Sequence, residues 1–181
     1  MHAASTLLRD EGPEALTVRR IAAEAGCSTM GVYSRFGGKD GVVDALYREG
    51  FLLLRDTIAG VPETDDVLAD LYAGCLAYRC LAHEHATHYR IMFEKAVAFE
   101  PSDESIQAAA DAFGQLLHCV ERATAARLLE GDTKVLASSI WATCHGIVSL
   151  EIAGKNPKTA AGTFPFEETM QALFRGFQPR R

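Results

Sequence analysis

The sequence predicts an all-α protein, and three observations carry that prediction. Apolar residues return at helical spacing through the long segments, no stretch alternates with period two over the length of a strand, and the breakers Pro101, Gly131 and the run from Gly154 to Pro165 fall between the periodic segments. With 181 residues, 48% of them hydrophobic, the chain can bury a sizeable core in one or two domains, and no part of it reads as disordered.

The first helix carries Ala4, Leu7 and Leu8 on one face and ends near Gly12-Pro13. Thr17 is a good N-cap for a short second helix in which Val18, Ile21, Ala22 and Ala25 recur, and Gly26 supplies the backbone freedom to stop it. Ser28 caps a third helix whose Val32 and Phe36, four apart, face inward while Thr29, Met30, Tyr33 and Ser34 face out. Two short helices about a glycine-containing turn make a helix-turn-helix, and the first helix completes a three-helix unit with them. Gly37-Gly38 then makes a turn, and Lys39-Asp40 opens a longer helix through Leu46, Phe51, Leu54 and Ile58 that stops near Gly60-Val61-Pro62. From Thr64 onward the spacing predicts a helical-bundle body of five more helices, over about 65–84, 87–99, 103–129, 133–153 and 166–177, with no internal repeat.

Net charge is −6, which argues against a polyanionic partner for the chain as a whole. Charge is local, however: from Thr17 to Lys39 four basic residues (Arg19, Arg20, Arg35, Lys39) stand against the single acidic Glu24, a net of +3. Tyr33, Arg35 and Lys39 can donate to phosphates, and Thr29, Met30 and Gly31 sit where the start of a recognition helix would meet base edges. Non-specific affinity for DNA should be modest and salt-sensitive, because few cations face phosphate and the body is acidic.

Other functional classes find little support. The five cysteines, Cys27, Cys75, Cys80, Cys119 and Cys144, form no CxxC pair, and with no secretory segment they point to reduced thiols in a cytoplasm, most of them small core residues. Cys27, in the helix-turn-helix turn, is the candidate for a redox-sensing thiol, with simple packing the favoured reading. The longest uncharged run, Val135 to Leu150, is shorter than the ~18 apolar residues a membrane span needs. His83-Glu84 is followed by Thr87 where a zinc-protease motif needs histidine, His85 and His88 lack supporting ligands, and no metal or cofactor is expected. No nucleophile–base pair, phosphate loop or set of convergent carboxylates suggests an enzyme.

The pattern LT-x-R-x-IA-x-x-AG-x-S-x-x-x-VY-x-x-F-x-x-KD, from Leu16 to Asp40, resembles the N-terminal domain of the TetR family of bacterial transcriptional repressors. The combination of Trp141, His145, Gly146 and Leu150-Glu151, with the segment His85 to Phe93, resembles the subgroup of TetR-like C-terminal domains named for a Trp-His-Gly signature. The resemblance implies a DNA-binding head over 1–45 and a ligand-binding and dimerisation body over 46–181, joined through the helix that begins at Lys39, the only covalent route between them. Family members commonly carry a few more residues, often basic, before the first helix; their absence removes phosphate contacts or reflects an abridged start.

On this reading operator DNA is bound through Thr17, Arg19, Ser28, Thr29, Met30, Gly31, Tyr33, Ser34, Arg35 and Lys39. Family members pair through their last two long helices. The matching candidates are the small residues Ala142, Gly146, Ser149 and Ala153, spaced four, three and four along one helix, and Met170, Leu173, Phe174 and Phe177 on the last. Tyr78, Tyr89, Met92, Phe93, Phe113, Leu117, Trp141 and His145 offer a mostly apolar lining for a small hydrophobic or aromatic effector whose binding weakens operator binding. The alternative is a helical interaction module whose head binds a protein partner.

Overall fold

Capping and helical spacing decide where the elements fall. In the computed structural model, which describes residues 1–94, 97–155 and 166–179, the elements are α1 (His2–Glu11), a 3-10 turn (Pro13–Ala15), α2 (Val18–Glu24), α3 (Thr29–Phe36), α4 (Lys39–Ala59), α5 (Val67–Glu84), α6 (Ala86–Phe93), α7 (Asp103–Ala125), α8 (Thr133–Ile152) and α9 (Phe166–Phe177). No strand occurs among the described residues. The expected turn residues from Asn156 to Pro165 lie outside them.

Three boundaries differ from the periodicity, each for a local reason. α5 begins at Val67 because Asp66 caps it, its Oδ1 accepting from the Ala69 N–H at 3.1 Å. α6 ends at Phe93, not near Phe99: Phe99 is an anchor for the following loop, its ring 5.4 Å from that of Tyr47. α7 ends at Ala125, short of Leu129, because Arg127 takes a left-handed φ of 57° and the N–H groups of Leu128 and Leu129 both turn back to the Ala123 carbonyl at 3.0 and 3.4 Å.

Two compact units result, Met1–Leu54 with His85–Asp111, and Arg55–Glu84 with the chain from Ala112 onward. The chain therefore passes between units three times, within α4, between α5 and α6, and within α7. These units divide the chain differently from a single cut at residue 45, which falls within α4. α6, read from sequence as part of the body, groups with the helix-turn-helix.

In the first unit the core gathers Leu7, Leu16, Ile21, Val32, Val43 and Leu46 with Ile91 of α6 and Val97 beyond it. An aromatic series extends this core, with ring centroids 4.8 Å apart for Tyr47 and Phe51, 5.5 Å for Phe51 and Phe93, and 5.1 Å for Tyr89 and Phe93. The loop before α7 is tied to α4 by Asp44, which accepts from the Ser102 N–H at 3.0 Å and from the Ser102 hydroxyl at 2.9 Å. Buried Ser105 donates to the Asp44 carbonyl at 3.4 Å, and Arg48 pairs with Glu104.

In the second unit α8 packs on α5 and α9. Its inner face buries Leu136, Ala137, Ile140, Cys144, Ile147 and Val148. α8 is also the one helix among the described residues that is long and apolar enough, by length and composition, to cross a membrane, with a mean hydropathy of 1.4. The run counted from sequence stopped short of this because it excluded the ends of the helix. Polar anchors nonetheless tie α8 into the unit: Arg79 of α5 donates two hydrogen bonds of 2.9 Å to the buried Glu151 carboxylate, and His83 lies 2.8 Å from the same group. A second polar cluster forms where Asp70 accepts from the Thr64 N–H and hydroxyl, both at 2.7 Å, and from Arg122 of α7 at 3.1 Å.

Burial raises the Glu151 pKa, but the hydrogen bonds from Arg79 and His83 outweigh it and hold the carboxyl below the ordinary glutamate value. A depressed pKa stabilises the fold fully above the unfolded value, and that contribution disappears as pH falls through the folded one. Glu151→Gln should cost about 1–2 kcal/mol at neutral pH, a range set by the partial exposure of Arg79, and should lose less than wild type between neutral pH and about pH 4. Urea titrations at the two pH values measure both; an equal acid loss in the variant contradicts the assignment.

Candidate nucleic-acid interface and effector site

The helix-turn-helix is built from two side-chain caps. Thr17 Oγ1 accepts from the Arg20 N–H at 3.3 Å to start α2, and Ser28 Oγ accepts from the Gly31 N–H at 3.1 Å to start α3. Between them Gly26 takes a φ of 64°, and the Cys27 N–H reaches back to the Ala22 carbonyl at 2.9 Å. Ile21, Ala22 and Val32 are buried, which fixes α3 against α2 and leaves its other face to solvent.

The predicted DNA-binding residues lie on α3 and its N-cap, at the start of α2 and at the start of α4. Thr17, Arg19, Ser28, Thr29, Met30, Gly31, Tyr33, Ser34 and Arg35 are exposed, and Lys39, the first residue of α4, is half-buried. Gly37 caps α3 with a φ of 74°, and Gly38, with a φ of 133°, leaves room for the Tyr33 ring, which passes 3.4 Å from where a Cβ would stand. Arg20 is held by Glu11 at 2.6 Å, so part of the local positive charge counted from sequence is neutralised within the head. Arg35 lies over the Phe36 ring at 5.5 Å.

The predicted effector residues divide between the units. In the second, Tyr78 of α5 and His145 of α8 share a hydrogen bond of 3.0 Å, the Trp141 and His145 rings are 5.8 Å apart, and Phe113 of α7 meets Trp141 edge-on at 6.2 Å. Tyr78 is buried and Leu117 half-buried. Tyr89, Met92 and Phe93 belong to the first unit, where Tyr89 and Phe93 join the aromatic series and the Met92 Sδ lies 2.5 Å from a Cβ position at Gly50.

The small stripe of α8 lies on the solvent side of the helix. Ala142, Gly146 and Ala153 are exposed, Ser149 is half-buried, and beyond the backbone of its own helix no atom lies within 4 Å of a Cβ placed on Gly146. Val135, about two turns before Ala142 on the same side, and Leu150, beside Gly146, add larger exposed side chains. On α9 a correction is needed. Met170 and Phe174 are buried within the chain itself, Met170 completely, because α9 turns its apolar side onto α8; Leu173 and Phe177 are half-buried.

Cysteine placement is mixed, since Cys75 and Cys144 are buried, Cys119 is half-buried, and Cys27 and Cys80 are exposed. Only the buried pair and Cys119 fit the expectation of core packing. The Cys144 thiol donates to the Cys75 carbonyl at 3.7 Å, and its contact with Cys75 and its burial push its pKa far up. Sequence reasoning missed the Glu151 and Asp70 clusters, whose members lie up to 72 residues apart. Only the lone carboxylate of α8, at the end of an uncharged run, hinted that Glu151 needs a partner.

A capped helix-turn-helix with an outward-facing second helix, on an all-α chain, defines a helix-turn-helix transcriptional regulator. Residues 1–46 match the profile of bacterial regulatory proteins of the tetR family, and residues 71–174 match the tetracyclin repressor-like C-terminal domain. The chain belongs to the TetR family of DNA-binding regulators. The Trp-His-Gly likeness is part of neither description.

Among solved structures, a protein of unknown function from Rhodococcus sp. RHA1 is 26% identical with a TM-score of 0.81, covering 97% of this chain and 92% of its own. The TetR family transcriptional regulator PfmR from Thermus thermophilus shares the fold at 17% identity and a TM-score of 0.72, over 99% of this chain and 97% of its own. The fatty acid degradation regulator FadR from Bacillus halodurans does so at 18% and 0.74, over 99% and 94%. No curated protein matches the sequence.

Proposed function

We propose that the chain is a repressor that binds operator DNA as a homodimer and is released by a small hydrophobic or aromatic effector. In this reading residues 1–45 form the DNA-binding head, residues 46–181 form the body that pairs and binds the effector, and the protein acts in the cytoplasm. The observation that carries the reading is the outward face of α3, where every polar or reactive position from Cys27 to Arg35 is exposed while Val32 alone is buried. Lys39 supports it, because a cation at the first position of a helix opposes the helix dipole, and an approaching phosphate would remove that cost.

Tyr33 and Lys39 hold phosphate, and Thr29, with Arg19 reaching from α2, reads bases. Lys39→Ala should weaken binding to all duplexes alike and flatten its salt dependence, whereas Arg19→Ala should cost about 1–3 kcal/mol on the operator only. Anisotropy titrations of the protein's own upstream region and of a scrambled duplex, at two salt concentrations, separate the two effects. A Lys39→Ala variant with altered sequence preference and an unchanged salt slope would reverse the roles. No salt-dependent, sequence-selective binding at low salt would favour the interaction module.

The effector would bind along the string formed by Tyr78, His145, Trp141 and Phe113, with Leu117 beside it; Tyr89, Met92 and Phe93 are the further candidates, in the first unit. Trp141 is the single tryptophan, so its emission should respond saturably to the effector at the same concentrations that release DNA, because one coupling free energy governs both. Release of DNA with unchanged Trp141 emission would move the effector site elsewhere.

A further inference from the structure

We propose that Met30 reads the methyl group of a thymine in each operator half-site. This rests on the DNA-binding reading above and goes further by naming the chemical group read and the side chain that reads it.

Met30 is the second residue of α3 and is 73% exposed, with Tyr33 the other large hydrophobic side chain left exposed in the first unit's helix-turn-helix. A thioether of that length has no hydrogen to donate. Its sulfur accepts hydrogen bonds only weakly, so its exposed surface is best matched by another apolar group. Beside it Gly31 carries no side chain and is itself exposed, so nothing on the helix shields Met30 from an approaching surface.

The neighbouring side chains make the case by what they lack. Guanine is read best by bidentate arginine or lysine, and adenine by asparagine or glutamine. From Cys27 to Ser34 there is none of these residues. The Ser28 hydroxyl oxygen is engaged by the Gly31 N–H, Arg35 lies one turn further on over the Phe36 ring, and Arg20 is held by Glu11. A recognition helix that starts without long donors but with one long apolar arm is suited to the C5-methyl of thymine, the apolar feature that base edges present in the major groove.

Deoxyuridine differs from thymidine by that methyl alone, which makes the test direct. The full-length wild-type protein is used to recover a preferred duplex from a randomised DNA pool, and each thymine of that duplex is then replaced singly by deoxyuridine. Anisotropy titrations compare wild type, Met30→Ala and Met30→Leu, with circular dichroism confirming that the exposed substitution leaves the fold intact. At one thymine per half-site the wild type should bind the uridine duplex about fourfold more weakly, the factor for one buried methyl, and about fifteenfold when both half-sites are changed. Met30→Ala should bind the two duplexes alike, and Met30→Leu should keep most of the discrimination. A wild type indifferent to every replacement, or a Met30→Ala variant with the same loss as wild type, overturns the proposal and leaves the DNA-binding reading standing. A pool that yields no enriched sequence removes the DNA-binding reading and the Met30 assignment with it.

Discussion

Replacing Gly146 by leucine should convert the protein to a monomer and lower its affinity for operator DNA by about 10²–10⁴-fold, the range by which linking two binding heads exceeds one. The position is open on its own chain: Gly146 is exposed, and beyond the backbone of its own helix no atom lies within 4 Å of a Cβ placed there. Leucine also favours the helix over glycine by about 0.8–1 kcal/mol, so the single chain should fold at least as readily as before. On the proposed pairing the leucine meets a second copy approaching along Ala142, Ser149 and Ala153, where a branched side chain forces the partner helix away. Sedimentation velocity and DNA titration on the same preparation read both effects. An unchanged dimer would place the pairing surface elsewhere than on α8.

Gly41→Ala should destabilise the protein by about 3 kcal/mol, by overpacking against backbone that has no alternative position. A Cβ on Gly41 would overlap the Phe36 carbonyl oxygen and lie 2.8 Å from its carbon. Phe36 is followed by the left-handed Gly37, whose N–H is bonded to the Tyr33 carbonyl at 2.8 Å, so relief would unwind the end of α3. The gain of about 1 kcal/mol in helix propensity is too small to offset this. Gly50→Ala provides the comparison, since its Cβ would meet the Met92 Sδ at 2.5 Å, the far end of a flexible side chain. Urea unfolding should therefore show Gly41→Ala as much the more damaging of the two, with operator binding lost alongside; equal costs would mean that the α3–α4 corner yields more easily than its geometry implies.

Sequence carried the helix-turn-helix and the order of the helices that follow it, but few of the contacts between those helices, for reasons that follow from range. Thr17, Gly26, Ser28 and Gly37 act within four residues of themselves, so their caps and turns were legible, as was the outward orientation of Thr29, Met30, Tyr33 and Ser34. α9 was placed from Phe166 to Phe177 by its strong amphipathic pattern, but that pattern cannot say which neighbour covers the apolar side. Met170 and Phe174 turned out to pack within their own chain. The overlong readings of α6 and α7 share a cause: Phe99 and Leu129 keep helical spacing but are buried or anchored by loops that fold back. Grouping α6 with the head depends on tertiary contacts of Ile91 with residues far away in sequence, and the Glu151 cluster joins residues of two helices. No periodicity in one segment reports either.

The central claim is that two copies of this chain hold one duplex through their α3 helices. Footprinting of the protein's own upstream region tests it most directly. The account predicts two protected half-sites related by an inverted repeat, with centres about one helical turn of DNA or a multiple of it apart, and protection that fades together at both as salt rises. Protection of a single unrepeated half-site by wild-type protein, or none at low salt, would contradict it.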